Sequence, residues 1–90
     1  MSQAIVDPSE LRRFAHNLKK FNAELAHGLS VLHGQLTALG DTWRDQEHDK
    51  FREEFEETLR AVEKFLAASE VHIPFLLRKA ERVEEYLQQR

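Results

Sequence analysis

The segment LGDTWRD at residues 39–45 separates two long stretches whose apolar residues recur at helical spacing. Before it, leucines repeat every seven residues, which is typical of a helix that packs along one face in a bundle. Gly40 directly follows the last of these leucines, as a glycine often does where a helix ends. The side chains of Asp41 and Thr42 are suited to cap a second helix. We therefore predict that the chain reverses direction at this segment.

The first helix is predicted from about residue 8 to residue 39. Asp7 is a favourable N-cap, Pro8 suits the first helical position, and Glu10 follows the cap by three residues. A seam three positions wide, as in a bundle helix, is formed by Leu11, Leu18, Leu25, Leu32 and Leu39, with Phe14, Phe21 and Gly28 on one flank and Ala15, Asn22, Leu29 and Leu36 on the other.

The second helix is predicted over residues 43–90, where apolar residues again follow one another at intervals of three and four. Pro74 interrupts this pattern, and a proline inside a helix costs about 3 kcal/mol. Because the phase of the pattern is the same on both sides, we predict a kink there; the alternative is a break at 71–74 followed by a third short helix. The predicted fold is all-α, an antiparallel two-helix hairpin forming one domain over residues 1–90, with residues 1–6 disordered.

Composition excludes several classes of function. The 13 basic and 16 acidic residues give a net charge of -3, which provides no basic field for nucleic acid. There is no cysteine, hence no disulfide and no thiolate metal site. No apolar run approaches the roughly 20 residues that span a bilayer, so we expect no membrane insertion. Residues 1–7 lack the features of a cleavable signal peptide, so we expect a cytoplasmic protein or one secreted without such a signal.

The residues that carry chemistry elsewhere do not form a site here. Glu24 and His27 match the Glu-x-x-His spacing of di-metal bundle proteins, but His27 lies about 200° around the helix from the seam leucine Leu25. His48 stands between two acids, without a nucleophile or phosphate loop nearby. We predict no catalytic residue, no metal and no cofactor, hence no enzyme.

The predicted register leaves the end of the second helix without a partner. A hairpin that turns near residue 41 places Phe55 opposite Gly28, with room for its ring, and Pro8 opposite residue 75. Residues 75–90 then project about 20 Å beyond the first helix, although a lone helix of this length is marginal in water. Together with the wide apolar stripes, this predicts a homodimer that forms a four-helix bundle. The predicted partner-binding residues are Phe75, Leu76, Leu77, Ala80, Val83, Tyr86 and Leu87.

Trp43, the only tryptophan, is expected to close the turn end of the hairpin. Two long helices with a tryptophan at the turn resemble the WXG-motif family, the small substrates of type VII secretion. Asp45 stands where that family has the glycine of Trp-x-Gly, and is expected to act as a cap or first-turn acid. Tyr86 is followed four residues later by Arg90, where family members carry an acid. The resemblance implies a dimeric hairpin without catalysis, recognised by a membrane ATPase through its C-terminal helix.

Two functions follow as hypotheses. The first is a secreted factor or secretion adaptor of a type VII-like system that acts through protein–protein interaction. The alternative is an intracellular coiled-coil adaptor or chaperone-like subunit whose residues 75–90 dock a partner. The acidic run from Glu53 to Glu57 is interpreted as a solvated helix face, with a docking surface for a basic partner as the alternative.

Overall fold

The computed structural model describes residues 6–89, which form two helices and a short connection. Helix α1 spans Pro8–Leu39 and helix α2 spans Gln46–Gln88, and residues 6–89 contain no strand. The helices pack against each other in opposite directions, in a molecule of 68 × 21 × 14 Å. The predicted all-α hairpin is therefore confirmed. The predicted disorder of residues 1–6 lies, apart from Val6, outside the described residues.

Helix α1 begins and ends where the sequence predicts. The Asp7 carboxylate accepts hydrogen bonds from the Ser9 amide at 2.9 Å and from the Ser9 hydroxyl at 2.7 Å, and these bonds lower the pKa of Asp7. Pro8 follows the cap, where its missing N–H leaves no helical bond unmade. Gly40 forms the C-cap with a right-handed backbone, φ -61° and ψ -17°, so its position requires no left-handed conformation.

Helix α2 begins three residues later than predicted, and neither Asp41 nor Thr42 caps it. The Asp41, Thr42 and Trp43 amides donate back to Ala38 and Leu39 carbonyls, and the Thr42 hydroxyl donates to the Leu39 carbonyl at 3.3 Å. These bonds continue the last turn of α1. Residues 41–43 are therefore hydrogen-bonded to the end of α1 and do not begin α2. The N-cap of α2 is Asp45.

Helix α2 is unbroken through Pro74 and runs for 43 residues. The alternative of a third short helix after residue 74 is therefore wrong. At about 1.5 Å per residue, α2 is about 65 Å long, close to the 68 Å length of the whole molecule. Continuous apolar positions on both sides of Pro74 hold the helix together there despite the missing hydrogen bond.

The register of the two helices differs from the prediction. His33, rather than Gly28, stacks on Phe55 with ring centroids 6.3 Å apart. No aromatic ring packs on Gly28, because a Cβ built at its position would have no neighbouring atom within 4 Å. At the open end, Arg12 is hydrogen-bonded to Glu84, so α2 runs beside α1 well beyond residue 75 and the predicted overhang is wrong. Helical periodicity specifies which side of each helix is apolar, but not how far one helix slides along the other.

The interface between the helices is narrow. Within residues 6–89 the buried apolar side chains are those of Ala15, Leu36 and Ala80, and the buried polar ones are those of Asn22, His48 and Ser69. No bulky side chain of this part of the chain is fully buried. Many large apolar side chains are instead about half exposed, among them Phe14, Phe21, Leu32, Leu39, Phe51, Phe65, Phe75 and Tyr86.

Candidate functional site

The turn is organised around Trp43, which packs onto the first two turns of α2. Its ring meets His48 edge to face, with centroids 4.9 Å apart, and lies tilted against Phe51 at 6.5 Å. Its amide donates to the carbonyl of Leu39 at 3.0 Å. Trp43 remains partly exposed, and the side chain that is buried at the end of the hairpin is a different one.

That side chain is His48, which is only 4% exposed. Its ring lies beneath Gly40, where an added Cβ would come within 3.4 Å of the imidazole Cε1. Its Nε2 has no hydrogen-bond partner among the described residues, and its Nδ1 lies 3.9 Å from an Asp49 carboxylate oxygen. The sequence analysis noted His48 only as a residue between two acids, and did not predict its burial. The available signal was its position three residues after the cap, five after the tryptophan and eight after the glycine.

Asp45 explains how the turn is built without the expected glycine. Its backbone is extended, with φ -101° and ψ -179°, and its carboxylate accepts a hydrogen bond from the His48 amide at 3.0 Å. This bond lowers the pKa of Asp45. Because the backbone at this position is not left-handed, a glycine is not sterically required there. Aspartate and glycine are both favourable N-caps, so either residue can start the helix.

The predicted partner-binding residues do not share one environment. Ala80 is completely buried against α1, and Leu76, Leu77 and Val83 are partly buried. The remaining three, Phe75, Tyr86 and Leu87, are 54%, 63% and 39% exposed. The structure therefore leaves a smaller set of these side chains free for a partner than the sequence predicted.

The open end is held by an ion pair that sequence reasoning missed. Arg12 donates from Nε to a Glu84 carboxylate oxygen at 3.2 Å and from its terminal nitrogen to the other oxygen. These bonds lower the pKa of Glu84. Both side chains are 37% exposed, so solvent screens the pair and it contributes little to stability. Its main effect is to position the end of α2 beside α1.

One side of the hairpin carries most of the exposed bulky side chains, and we call it the apolar face. Phe14 and Leu18 line a depression with Phe65, and Leu32 and Leu39 line a second one with Phe51. Leu18, Leu32 and Leu39 stand at heptad intervals, so the two depressions lie on the same side of α1. The apolar face comprises Phe14, Leu18, Phe21, Leu32, Leu39, Phe51 and Phe65.

The opposite side of the hairpin carries a groove lined by small residues of α1 and by mainly apolar residues of α2. Ala23 and Ala26 of α1 face Leu66 and Pro74 of α2 across it. Asn22 lies at its floor, and neither its amide nitrogen nor its amide oxygen has a partner among the described residues. Within residues 6–89 no three His, Asp or Glu side chains come together as a metal site would require. Neither helix of this part of the chain is long and apolar enough to cross a membrane.

Two long antiparallel helices joined by a short turn with a tryptophan define a class of small helical-hairpin proteins. The model of the WXG100 family, described as proteins of 100 residues with WXG, matches residues 3–86. The chain therefore belongs to the WXG100 family, and its resemblance to WXG-motif proteins is confirmed. This membership fits a helical protein associated with type VII secretion. No curated protein and no solved structure matches the chain significantly.

Proposed function

We propose that the chain is a non-enzymatic secreted factor or secretion adaptor of a type VII-like system, and that it acts as a homodimer. The observation that carries the proposal is the apolar face, whose large side chains, apart from the partly buried Leu18, are about half exposed in the single hairpin. Monomeric soluble proteins rarely expose contiguous apolar patches of this kind, which usually mark interaction sites. Family membership supplies the secretion context.

A second copy is the occupant that best fits the apolar face. The face extends from Phe14 near the open end to Leu39 and Phe51 near the turn, so a hairpin of similar length is needed to cover it. Two hairpins packed through these faces form a four-helix bundle, in which Phe and Leu side chains interdigitate in the interior. Burial of one such side chain contributes about 1.5–3 kcal/mol.

The C-terminal part of α2 is proposed as the segment that a secretion ATPase or another protein recognises. Phe75, Tyr86 and Leu87 are exposed there. The covered residues Ala80 and Val83 then serve to hold this segment against α1. In this proposal the Arg12–Glu84 pair orients the end of α2 for its partner.

The dimer is tested by the substitution Phe21→Lys, with Val31→Lys as a matched control. Phe21 lies on the apolar face, whereas Val31 is similarly exposed, at 44% against 50%, on another side of α1. Analytical ultracentrifugation at about 1 M salt, which screens contacts between charged surfaces, is expected to show a dimer for the wild type and for the control, and a helical monomer for Phe21→Lys. A wild-type monomer at high protein concentration would contradict the proposal.

Export is tested by following the chain in the culture medium of cells with and without a type VII ATPase. Appearance in the medium only when the ATPase is present supports the secretion role. Tyr86 is followed four residues later by Arg90 instead of an acid, and this departure favours the second candidate, an intracellular adaptor or chaperone-like subunit. Retention in the cell together with partner capture that depends on residues 75–90 would establish that candidate and reject export.

A further inference from the structure

The side of α2 that faces away from α1 carries charges that change sign along the helix. Its residues follow at intervals that keep them on one side, opposite the buried Ser69 and Ala80, and all of them are exposed. We call this set the outer stripe, and it comprises Glu53, Glu57, Arg60, Lys64, Val71, Phe75, Arg78 and Arg82.

The two ends of the outer stripe are oppositely charged. Glu53 and Glu57 form the end near the turn, and Arg78 and Arg82 form the end near the C-terminus. None of these four side chains takes part in an ion pair within residues 6–89. Their charges are therefore available for a partner, although the chain as a whole is weakly acidic.

The charges of the outer stripe are complementary to those of the same stripe in a second copy that runs in the opposite direction. When two α2 helices pack antiparallel and cross at Ala67 and Ala68, Glu53 of one copy comes level with Arg82 of a second copy. Glu57 likewise comes level with Arg78, and two-fold symmetry repeats both pairings. The small alanines at the crossing point allow the helices to approach closely.

The middle of the stripe is also compatible with this packing. In the same register Arg60 comes level with Phe75 of the second copy, where a guanidinium can lie over an aromatic ring. Val71, the most exposed large apolar side chain among residues 6–89 at 71%, comes level with the aliphatic stem of Lys64. Apolar and charged positions of the stripe thus each meet a suitable counterpart.

We infer that the outer stripe is an interface between two copies of this chain, with α2 packed antiparallel on α2. An anionic membrane fits the stripe less well, because the acidic half would be repelled. A different acidic protein would use only the basic half and leave Glu53 and Glu57 unexplained. The outer stripe borders the apolar face at Phe75, which lines the same depression as Phe14 and Phe65. The charged ends of the stripe do not belong to the apolar face, so the two interfaces together give an assembly larger than the proposed dimer.

Charge reversal tests the inference. The variant with Glu53→Lys and Glu57→Lys, and the variant with Arg78→Glu and Arg82→Glu, are each expected to weaken association about tenfold at low salt. An equimolar mixture of the two variants is expected to restore it, because each then presents the charge that the other needs. Reversal of Glu63 and Glu70, acids of α2 outside the stripe, is the matched control and is expected to change nothing.

Sedimentation velocity at about 0.01 M and about 1 M salt separates this interface from the proposed apolar dimer, because salt screens only the charged one. The Phe21→Lys variant, whose outer stripe is intact, is expected to form a dimer at low salt that dissociates at high salt. Association that is indifferent to both reversals, or that the mixture does not restore, overturns the inference. Sensitivity to the arginine reversal alone would also overturn it, in favour of a different acidic partner.

Discussion

Arg12 holds the carboxylate of Glu84 through two hydrogen bonds, although 72 positions of the chain separate the two residues. The pair lies at the open end of the hairpin, where no covalent connection joins the helices. It shows that α2 stays beside α1 almost to its C-terminus. The consequences can be measured at the ends of both helices.

Glu84→Gln is expected to loosen the open end without unfolding the hairpin. The neutral amide loses the charge-assisted bonds with Arg12, so amide protons of residues 80–88 are expected to exchange faster, while those near the turn keep their rates. Glu85→Gln removes an exposed neighbouring charge with no ion pair in the described structure and serves as the control. Equal exchange rates in the two variants would contradict the assigned role.

Acidification is expected to destabilise the hairpin through the carboxylates of Glu84 and Asp45. The Arg12 hydrogen bond lowers the pKa of Glu84, and the His48 amide lowers that of Asp45. Because each folded-state pKa lies below its unfolded value, the stabilisation is complete above the unfolded value and is lost as the pH falls through the folded one. Thermal unfolding followed by circular dichroism between about pH 2 and pH 6 is expected to show this loss below about pH 4. The combined variant with Glu84→Gln and Asp45→Asn is expected to show a smaller slope there, and an unchanged slope would count against the assignment.

Asp45→Ala is expected to lower the Tm by several degrees, whereas Asp45→Gly is expected to remain close to wild type. Alanine is a poor N-cap, but glycine at a cap is nearly as good as aspartate. The extended backbone at this position accepts either residue. Thermal unfolding of the three proteins measures the difference, and a glycine variant as unstable as the alanine variant would show that capping is not the role of Asp45.

Gly40→Val is expected to displace His48 from the end of the hairpin. The first added carbon would already lie 3.4 Å from the imidazole and 3.2 Å from the Thr37 carbonyl oxygen, and the branches of valine need more room. Gly34→Val is the control, because nothing lies within 4 Å of its Cβ position. Near-ultraviolet circular dichroism reports the packing of Trp43, which contacts His48, and is expected to change only in the Gly40 variant.

Pro74→Ala is expected to raise the free energy of unfolding by about 1–3 kcal/mol, since it restores a helical hydrogen bond in the middle of α2. Pro8→Ala, at the start of α1, is expected to have a much smaller effect because no bond is missing there. Urea unfolding measures both. Destabilisation by Pro74→Ala would mean that the proline ring itself is needed in the groove that it lines.

The ends of the helices could be predicted closely where local chemistry decides them. Helix α1 begins at Asp7 and Pro8 because of interactions within its first turn. Such local interactions can be inferred from neighbouring residues in the sequence. The start of α2 was less accessible, because Asp41, Thr42 and Asp45 are all good caps. The choice between them depends on backbone bonds that continue α1.

The register and the turn packing could not be predicted for a different reason. A leucine repeat shows which side of a helix is apolar, but not how far one helix is shifted along the other, so it cannot place Phe55 opposite His33 rather than Gly28. The position is decided by contacts between residues far apart in the chain, such as Arg12 with Glu84. The burial of His48 likewise depends on a neighbour, Gly40, whose proximity appears only once the turn is folded.

The absence of any fully buried bulky side chain within residues 6–89 also has a mechanical meaning. A force that pulls the two ends of the chain apart would separate α1 from α2 step by step from the open end, breaking few apolar contacts at each step. A single hairpin therefore offers little resistance to separation of its two helices. The two helices are held together more firmly when a partner covers their exposed faces than when these faces are in contact with solvent.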